Sequence, residues 1–159
     1  MEEKNYHVCC FTGHRNLPID SMRAIYSRLG RAVRYAYDRG VREFRVGGAL
    51  GFDTLAALSV LDLREQLPGL RLCLYLPCKD QDRGWSEQDR VIYADILDRA
   101  DEVVYTSEQY FGGCMQKRNR ALVDGSDVCI AFCQKTNGGS YYTVAYARSQ
   151  GLTVWNLGQ

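Results

Sequence analysis

The sequence lacks an excess of charge of either sign. Its 159 residues include 20 lysines and arginines against 19 aspartates and glutamates, which gives a formal net charge of +1 at pH 7. Proteins that hold a nucleic-acid backbone or an acidic membrane by general electrostatics need a continuous basic surface. We therefore expect neither nucleic acid nor a membrane as the partner, although a local basic cluster is compatible with this composition.

Long hydrophobic runs are also missing. The apolar stretches are no longer than a strand, and the first four residues lack the charged and hydrophobic regions of a secretory signal. A cytoplasmic location is the expectation that follows. Apolar residues still make up 46% of the chain, so 1–159 is expected to form a single domain with its own core, without repeats or a linker.

No standard zinc pattern is present, although the chain has seven cysteines. We therefore predict no metal site. Five of the thiols fall in or at the ends of predicted strands and are expected to pack as small apolar side chains; these are Cys9, Cys10, Cys73, Cys129 and Cys133. Cys78 and Cys114 fall in predicted loops and are the better candidates for a reactive thiol.

Strands and helices are predicted to alternate along the whole chain. The strands are predicted at 7–11, 43–46, 71–76, 102–106, 127–133 and 153–156. Helices are predicted from 20 or 21 to 39, from 53 or 54 to 66, from a capping Ser86 to about 100, at 115–123 and at 141–150. This order predicts a Rossmann-like, doubly wound α/β fold, whose mainly parallel sheet of about six strands has helices on both faces.

Three glycine-containing turns, at 11–15, 47–53 and 137–143, each follow a predicted strand and lead toward a helix. Such junctions offer free backbone N–H groups and the positive end of a helix dipole, which suit a phosphate group. In parallel sheets, ligands bind at the carboxyl ends of the strands, where all three turns are predicted to lie. The sequence therefore predicts a nucleotide-binding protein.

Individual side chains in these turns allow more than one role. Asp53 suits a helix cap and also a contact to a ribose hydroxyl. Arg15 suits a bidentate grip on phosphate, His14 a hydrogen bond or a proton transfer, and both also suit a loop ion pair. Cationic side chains near the start of the helix at 115–123 oppose its dipole, which indicates either a nearby anion or a solvated basic face; they are Lys117, Arg118 and Arg120.

Two aromatic residues in loops are candidates for stacking on a base. Trp85 and Tyr110 are both predicted on the side of the sheet that carries the glycine turns. Ordinary packing in the protein is the alternative explanation for each ring.

Several segments, taken together, resemble the SLOG superfamily, and most closely its YpsA-like branch of uncharacterised proteins. This Rossmann-like group includes the LOG phosphoribohydrolases and the DNA-processing protein DprA. The segments that carry the resemblance are Thr-Gly-His-Arg at 12–15, the stretch 47–57, Met-Gln-Lys-Arg-Asn-Arg at 115–120, Ser-Asp at 126–127, Gly-Gly-Ser at 138–140 and Thr-Val-Ala-Tyr-Ala at 143–147.

The resemblance implies a nucleotide or nucleotide-derived ligand, such as an ADP-ribose-like molecule, lying across these loops in a sensor or signalling module. It implies a homodimer and no required cofactor, with any Mg²⁺ arriving on the phosphates of the ligand. The residues expected to bind the ligand are Gly13, His14, Arg15, Gly47, Gly48, Gly51, Asp53, Arg118, Gly138, Gly139, Ser140 and Thr143.

One difference from the LOG motif bears on whether the protein is an enzyme. The LOG motif places a glutamate shortly after its glycine turn, where it assists cleavage of the glycosidic bond. Alignment on Gly139 and Ser140 places Thr143 at that position, and a threonine hydroxyl is a poor general base at neutral pH. A binding protein is therefore the favoured interpretation, and a nucleotide hydrolase that cleaves an N-glycosidic or phosphoester bond is the alternative. Binding of single-stranded DNA is a third hypothesis, disfavoured by the net charge.

Overall fold

A computed structural model describes residues 5–159 of the chain. Six strands alternate with five α-helices, as the sequence predicts. The strands are β1 (Val8–Gly13), β2 (Glu43–Val46), β3 (Arg71–Leu76), β4 (Glu102–Tyr105), β5 (Val128–Phe132) and β6 (Thr153–Asn156). The helices are α1 (Met22–Asp38), α2 (Phe52–Arg64), α3 (Glu87–Arg99), α4 (Cys114–Val123) and α5 (Gly139–Ser149).

The strands form one sheet in the order β4-β3-β2-β1-β5-β6, and every neighbouring pair is parallel. β1 lies in the middle of the sheet, and the order along the chain reverses between β1 and β5. Because ligands of open α/β sheets bind at the carboxyl ends of strands near such a reversal, the topology points to the ends of β1 and β5.

Burial explains why these segments form these elements. All five residues of β5 are buried, as expected for a strand covered on both faces. On α1, a stripe at three- and four-residue spacing faces the core and is formed by Ile25, Leu29, Val33 and Ala36. The helices α1, α2 and α3 pack with the sheet in one apolar cluster, whereas α4 and α5 contribute to a second cluster. The fold is therefore a Rossmann-like three-layer arrangement.

Three helices at the site begin earlier than the sequence predicts. α2 begins at Phe52 rather than at 53 or 54, α4 begins one residue early, at Cys114, and α5 begins two residues early, at Gly139. The third glycine turn is therefore itself the first turn of α5. At α3 the predicted cap is confirmed, because the Ser86 hydroxyl accepts a hydrogen bond of 3.1 Å from the backbone N–H of Asp89.

All seven cysteines are buried, in strands and in other segments alike. The five strand cysteines pack in the core as expected, but Cys78 and Cys114 are also only 1% and 0% exposed. Burial raises the pKa of the Cys78 thiol above its ordinary value. The prediction that these two thiols are the better candidates for reaction is wrong, because tertiary packing covers both of them as fully as it covers the strand cysteines.

Within residues 5–159, no helix has both the length and the apolar character needed to cross a membrane.

Candidate functional site

A cavity of about 160 Å³ opens at the carboxyl edge of the sheet. The turns after β1 and β2 form one side, and the first turns of α4 and α5 form the other. Six of the residues predicted from the sequence line it together, namely Gly13, Arg15, Asp53, Arg118, Gly139 and Ser140.

The turns that follow β1 and β2 are packed tightly against each other. A Cβ added at Gly13 would lie 2.6 Å from the Cβ of Phe52, and one at Gly51 would lie 2.6 Å from the carbonyl oxygen of His14. The backbone N–H of Phe52 also donates a 3.0 Å hydrogen bond to that same carbonyl. Gly51 has φ of +77°, which other residues rarely adopt. These two glycines therefore allow the turn after β1 and the turn after β2 to pack against each other.

Gly47 and Gly48 have the same kind of role. A Cβ at Gly48 would lie 2.5 Å from Cδ2 of Leu76, and one at Gly47 would lie 2.8 Å from Nη1 of Arg118 and 3.0 Å from Oδ2 of Asp53. A side chain at either position would displace these neighbours, and Gly48 also has φ of +73°, which other residues rarely adopt. Because Gly47 has no side chain, the buried guanidinium of Arg118 and the buried carboxyl of Asp53 both lie within about 3 Å of the position that a Cβ would occupy.

Arg118 is 5% exposed and is fixed by three groups around it. Its Nη1 donates to the Gly47 carbonyl, and its Nε donates a 2.8 Å hydrogen bond to Oδ1 of Asn119. Its Nη2 lies 3.7 Å from the sulfur of Met115. A buried arginine with a fixed fork, at the wall of an open cavity, is suited to bind a phosphate or carboxylate.

Asp53 is 7% exposed and lies in the first turn of α2. Gly51 is the N-cap residue of α2, so Asp53 does not cap the helix. Oδ2 of Asp53 accepts a 3.2 Å hydrogen bond from the backbone N–H of Ala49. Burial raises the pKa of the Asp53 carboxyl to about 6, against lowering contributions from Arg118, the Ala49 N–H and Arg15. Burial also lowers the pKa of Arg118, which Asp53 opposes. The site thus contains a carboxyl that changes charge near neutral pH, beside a permanent cation.

His14 connects two turns within the protein. Its Nε2 accepts a 2.9 Å hydrogen bond from the backbone N–H of Gln134, and its ring meets Phe132 edge-on at 5.8 Å. Burial, followed by the nearby charge of Lys135, lowers the pKa of His14. The neutral ring therefore joins the turn after β1 to the segment after β5. His14 is absent from the residues that line the cavity.

Arg15 is the exposed member of the cationic pair at the cavity. It lines the cavity and is close enough to lower the pKa of both Asp53 and Arg118. Arg118 is thus a fixed cation in the wall, and Arg15 is an adaptable cation at the mouth.

The third glycine turn is open. A Cβ at Gly138 or at Gly139 would have no atom within 4 Å, and Gly138 has φ of +92°. The first N–H groups of a helix have no acceptor within that helix, so the start of α5 presents donors and positive dipole toward the cavity. Ser140 lines the cavity beside them, whereas the Thr143 hydroxyl donates a 2.8 Å hydrogen bond to the Gly139 carbonyl one turn back.

Gln81 is a site residue that sequence reasoning missed. It is 9% exposed, and its amide nitrogen donates hydrogen bonds to the Gly48 carbonyl at 3.1 Å and to the Tyr93 hydroxyl at 3.2 Å. Its Oε1 is buried and has no hydrogen-bond partner among residues 5–159, although Gln81 lines the cavity. The sequence shows Gln81 only as part of a polar loop, and nothing local signals that the loop folds inward.

The two predicted stacking residues lie elsewhere. Trp85 packs edge-on against Tyr93 with ring centroids 5.1 Å apart, beside a second cavity of only about 20 Å³. Tyr110 is 67% exposed and lines none of the described cavities.

A wide groove between α4 and α5 continues from the cavity. Its volume is about 640 Å³, and it shares Met115, Asn119 and Gly139 with the cavity. Tyr142, which is 66% exposed, and Tyr146 lie along it. Arg120 lines the groove with its guanidinium 5.7 Å from the ring centre of Tyr146, and a shallower depression beyond it reaches Lys117. We call the 160 Å³ space the cavity and this surface the α4–α5 groove.

Comparison with known proteins gives a family and a set of structural neighbours. The family model YpsA, described as the YspA SLOG family, matches residues 4–153. The uncharacterized SPbeta prophage-derived protein YoqJ of Bacillus subtilis is 29% identical over an alignment of 128 residues, and the match covers 72% of this chain and 75% of that protein.

Two solved structures of DNA processing protein A share the fold. The protein from Streptococcus pneumoniae has a TM-score of 0.66 at 16% identity, over 94% of this chain and 49% of that one. The protein from Helicobacter pylori, whose structure is titled for its single-stranded DNA binding mode, has a TM-score of 0.64 at 20% identity, over 93% of this chain and 63% of that one. The chain thus spans about half to three fifths of these neighbours. With the family model covering nearly the whole length, the chain belongs to the YpsA family of SLOG proteins.

Proposed function

We propose that this protein binds a phosphorylated, nucleotide-type ligand in the cavity and acts as a sensor or signalling module. The observation that carries the proposal is the convergence of three phosphate-binding features on one small space. These are the fixed guanidinium of Arg118, the exposed cation of Arg15 and the open start of α5 at Gly139. Two cations and a helix N-terminus around one cavity favour an anion there.

The polar residues of the cavity wall suit a sugar attached to that anion. Asp53 has a carboxyl oxygen near the cavity, and Gln81 has an acceptor oxygen that the described protein leaves unpaired. Acceptors beside a phosphate site are suited to ribose hydroxyl groups, which donate hydrogen bonds. Membership of a family of Rossmann-like proteins agrees with this ligand class.

The experiment is calorimetric titration with ADP-ribose of the unaltered protein, of Arg15→Ala and of Arg31→Ala. Arg15 and Arg31 are both exposed arginines, but Arg31 lies on α1 and lines none of the described cavities. We expect micromolar binding, a loss of about tenfold in Arg15→Ala, since a charge-assisted hydrogen bond is worth about 1.5–3 kcal/mol, and no loss in Arg31→Ala. Equal losses in both variants, or no binding at all, would contradict the proposal.

A nucleotide hydrolase is the second candidate, favoured by Asp53 alone. A general acid or base works best when its pKa lies near the operating pH, and the pKa of Asp53 is raised to about 6. Chromatography of the ligand recovered from the titration separates the two functions. Intact ADP-ribose supports the sensor, whereas cleavage that is lost in Asp53→Asn supports the enzyme.

Binding of single-stranded DNA is the third candidate. The net charge argues against it, but the Helicobacter pylori neighbour is described as binding single-stranded DNA, and Arg120 and Lys117 extend the cationic surface along α4. Fluorescence anisotropy with an oligothymidylate at low and moderate salt tests this. A DNA-binding protein would show an affinity whose logarithm falls by about 0.7 per phosphate contact for each tenfold rise in salt, whereas a nucleotide sensor would show no comparable affinity.

A further inference from the structure

The cavity is too small to enclose a whole nucleotide. Its volume is about 160 Å³, whereas pockets that enclose drug-sized ligands have roughly 300–1,000 Å³. If a sugar phosphate occupies the cavity as proposed above, the base must leave it through an adjoining space. Two such spaces adjoin the cavity, and they differ in size.

One adjoining space lies toward Trp85. It shares Ala49 and Asp53 with the cavity, but its volume of about 20 Å³ is close to that of one water molecule. A base has no room there.

The other adjoining space is the α4–α5 groove. It has about 640 Å³ and reaches the cavity through Met115, Asn119 and Gly139, which line both. Tyr142 stands on the first turns of α5, just beyond the open glycine turn, and is 66% exposed. An exposed ring beside a phosphate-binding turn is a platform on which a flat base can stack.

The polar groups of the groove suit the edge of a base. Oδ1 of Asn119 accepts from Arg118, so its amide N–H₂ group is the part of that side chain that faces other partners. Gln116 is exposed in the groove and offers both a donor and an acceptor. Apolar surface from Met115 and the ring of Tyr146 completes the lining.

We infer that the α4–α5 groove is the base subsite of this protein and that Tyr142, rather than Trp85 or Tyr110, carries the stacking contact. This inference rests on the proposed binding of a sugar phosphate in the cavity. It adds that the base extends from the cavity into the α4–α5 groove, and it names the side chain that allows the protein to bind a nucleotide more tightly than a bare sugar phosphate.

The test compares AMP with ribose 5-phosphate, which share the sugar phosphate and differ by the base. Dissociation constants are measured by NMR titration for the unaltered protein, Tyr142→Ala, Tyr142→Phe and Tyr110→Ala. Tyr110 is a matched control because its exposure, 67%, is nearly that of Tyr142, whereas it lines none of the described cavities.

We expect Tyr142→Ala to weaken AMP binding by about five- to 150-fold, the range that removal of one stacking platform produces. Binding of ribose 5-phosphate should stay within about twofold, and Tyr142→Phe and Tyr110→Ala should bind AMP as the unaltered protein does. The adenine ring protons should shift upfield on binding to the unaltered protein and lose that shift in Tyr142→Ala.

Four results would overturn the inference. If Tyr142→Ala binds AMP as tightly as the unaltered protein, Tyr142 is not the stacking residue. If the variant loses the same affinity for both ligands, Tyr142 acts by maintaining the shape of the glycine turn that binds the phosphate. If the unaltered protein binds ribose 5-phosphate and AMP equally, no base subsite exists, although the proposed function survives. Failure of both ligands to bind the unaltered protein removes the proposed function as well.

Discussion

The first two glycine turns and the third look alike in sequence but differ in what surrounds them. At Gly13 and Gly51 an added Cβ would collide with other parts of the protein, whereas at Gly138 and Gly139 it would meet no atom within 4 Å. The glycines of the closed turns thus allow two loops to pack against each other. Those of the open turn leave the start of α5 free to be approached, which is what a ligand needs.

The same contrast divides the chemistry of the site. The closed side carries Asp53 in a fixed hydrogen-bonded position, and Gly47 leaves space for the guanidinium of Arg118 beside it. The open side offers backbone N–H groups and, next to them, the α4–α5 groove. A rigid polar wall facing an open mouth is an arrangement that positions an anion before it is bound.

The largest expected effect is on the closed side, in Gly51→Ala. The substitution combines an unfavourable φ of +77° with a collision against backbone atoms of the turn after β1. We expect the free energy of unfolding to fall by about 4 kcal/mol, measured by urea denaturation. Gly84→Ala is the matched control, since Gly84 has φ of +83° but nothing within 4 Å. Equal losses in the two variants would show that backbone conformation, and not the contact between the turns, is what Gly51 provides.

The next effect concerns the pH dependence of stability, which Asp53 should influence. Burial raises the pKa of its carboxyl from 3.8 to about 6, so the folded protein holds this proton more tightly than the unfolded chain does. The contribution of Asp53 to stability is therefore present below pH about 4 and is lost as the pH rises through about 6, with a total of roughly 3 kcal/mol. Urea denaturation of the unaltered protein and of Asp53→Asn across this range should show the variant gaining in relative stability as pH rises. A constant difference between the two would contradict the assigned shift.

The third prediction concerns Arg118, which bonds to the Gly47 carbonyl and also lines the cavity. We expect Arg118→Lys to weaken ADP-ribose binding by about 2 kcal/mol, because a lysine keeps the charge but loses the fixed fork of the guanidinium. Calorimetric titration measures the loss, and circular dichroism confirms that the variant is folded. If Arg118→Lys binds as tightly as the unaltered protein, the role of Arg118 is confined to holding the Gly47 carbonyl.

The smallest effect on stability is expected in the open turn. Gly139→Ala has space for its methyl group and no positive φ, so the free energy of unfolding should change by less than about 0.5 kcal/mol. The methyl group nevertheless stands where the phosphate is proposed to approach the backbone, and ADP-ribose affinity should fall by about 1 kcal/mol. A stability loss comparable with that of Gly51→Ala would erase the distinction between closed and open turns.

Much of the architecture is readable from the sequence because it depends on local periodicity. The apolar spacing of Ile25, Leu29 and Val33 predicts α1, and the apolar run at 128–133 predicts a buried strand. Parallel pairing then places the three glycine turns at one edge of the sheet without further information. The ends of helices were less accurate, since Gly139 was expected before α5 and is its first residue.

Side-chain surroundings were harder to predict because they depend on contacts between distant segments. For Trp85 the sequence leaves base stacking and ordinary packing both open, and its indole packs edge-on against Tyr93, while Gln81, in a loop of polar residues, is buried beside the cavity. Cys78, which the sequence places in a loop as a candidate reactive thiol, is buried. Nor does the sequence distinguish Gly51 from Gly139, since the difference lies in which neighbours surround each one.

The most direct test of the central claim is an NMR titration of protein labelled with ¹⁵N only at its 15 glycines. On addition of ADP-ribose, we predict large shifts of the amide signals of Gly13, Gly138 and Gly139 and negligible shifts at Gly30, Gly69 and Gly84, which lie away from the cavity. Shifts confined to the remote glycines, or none at a ligand concentration of several millimolar, would contradict the claim that the open turn and the cavity bind a nucleotide-type phosphate.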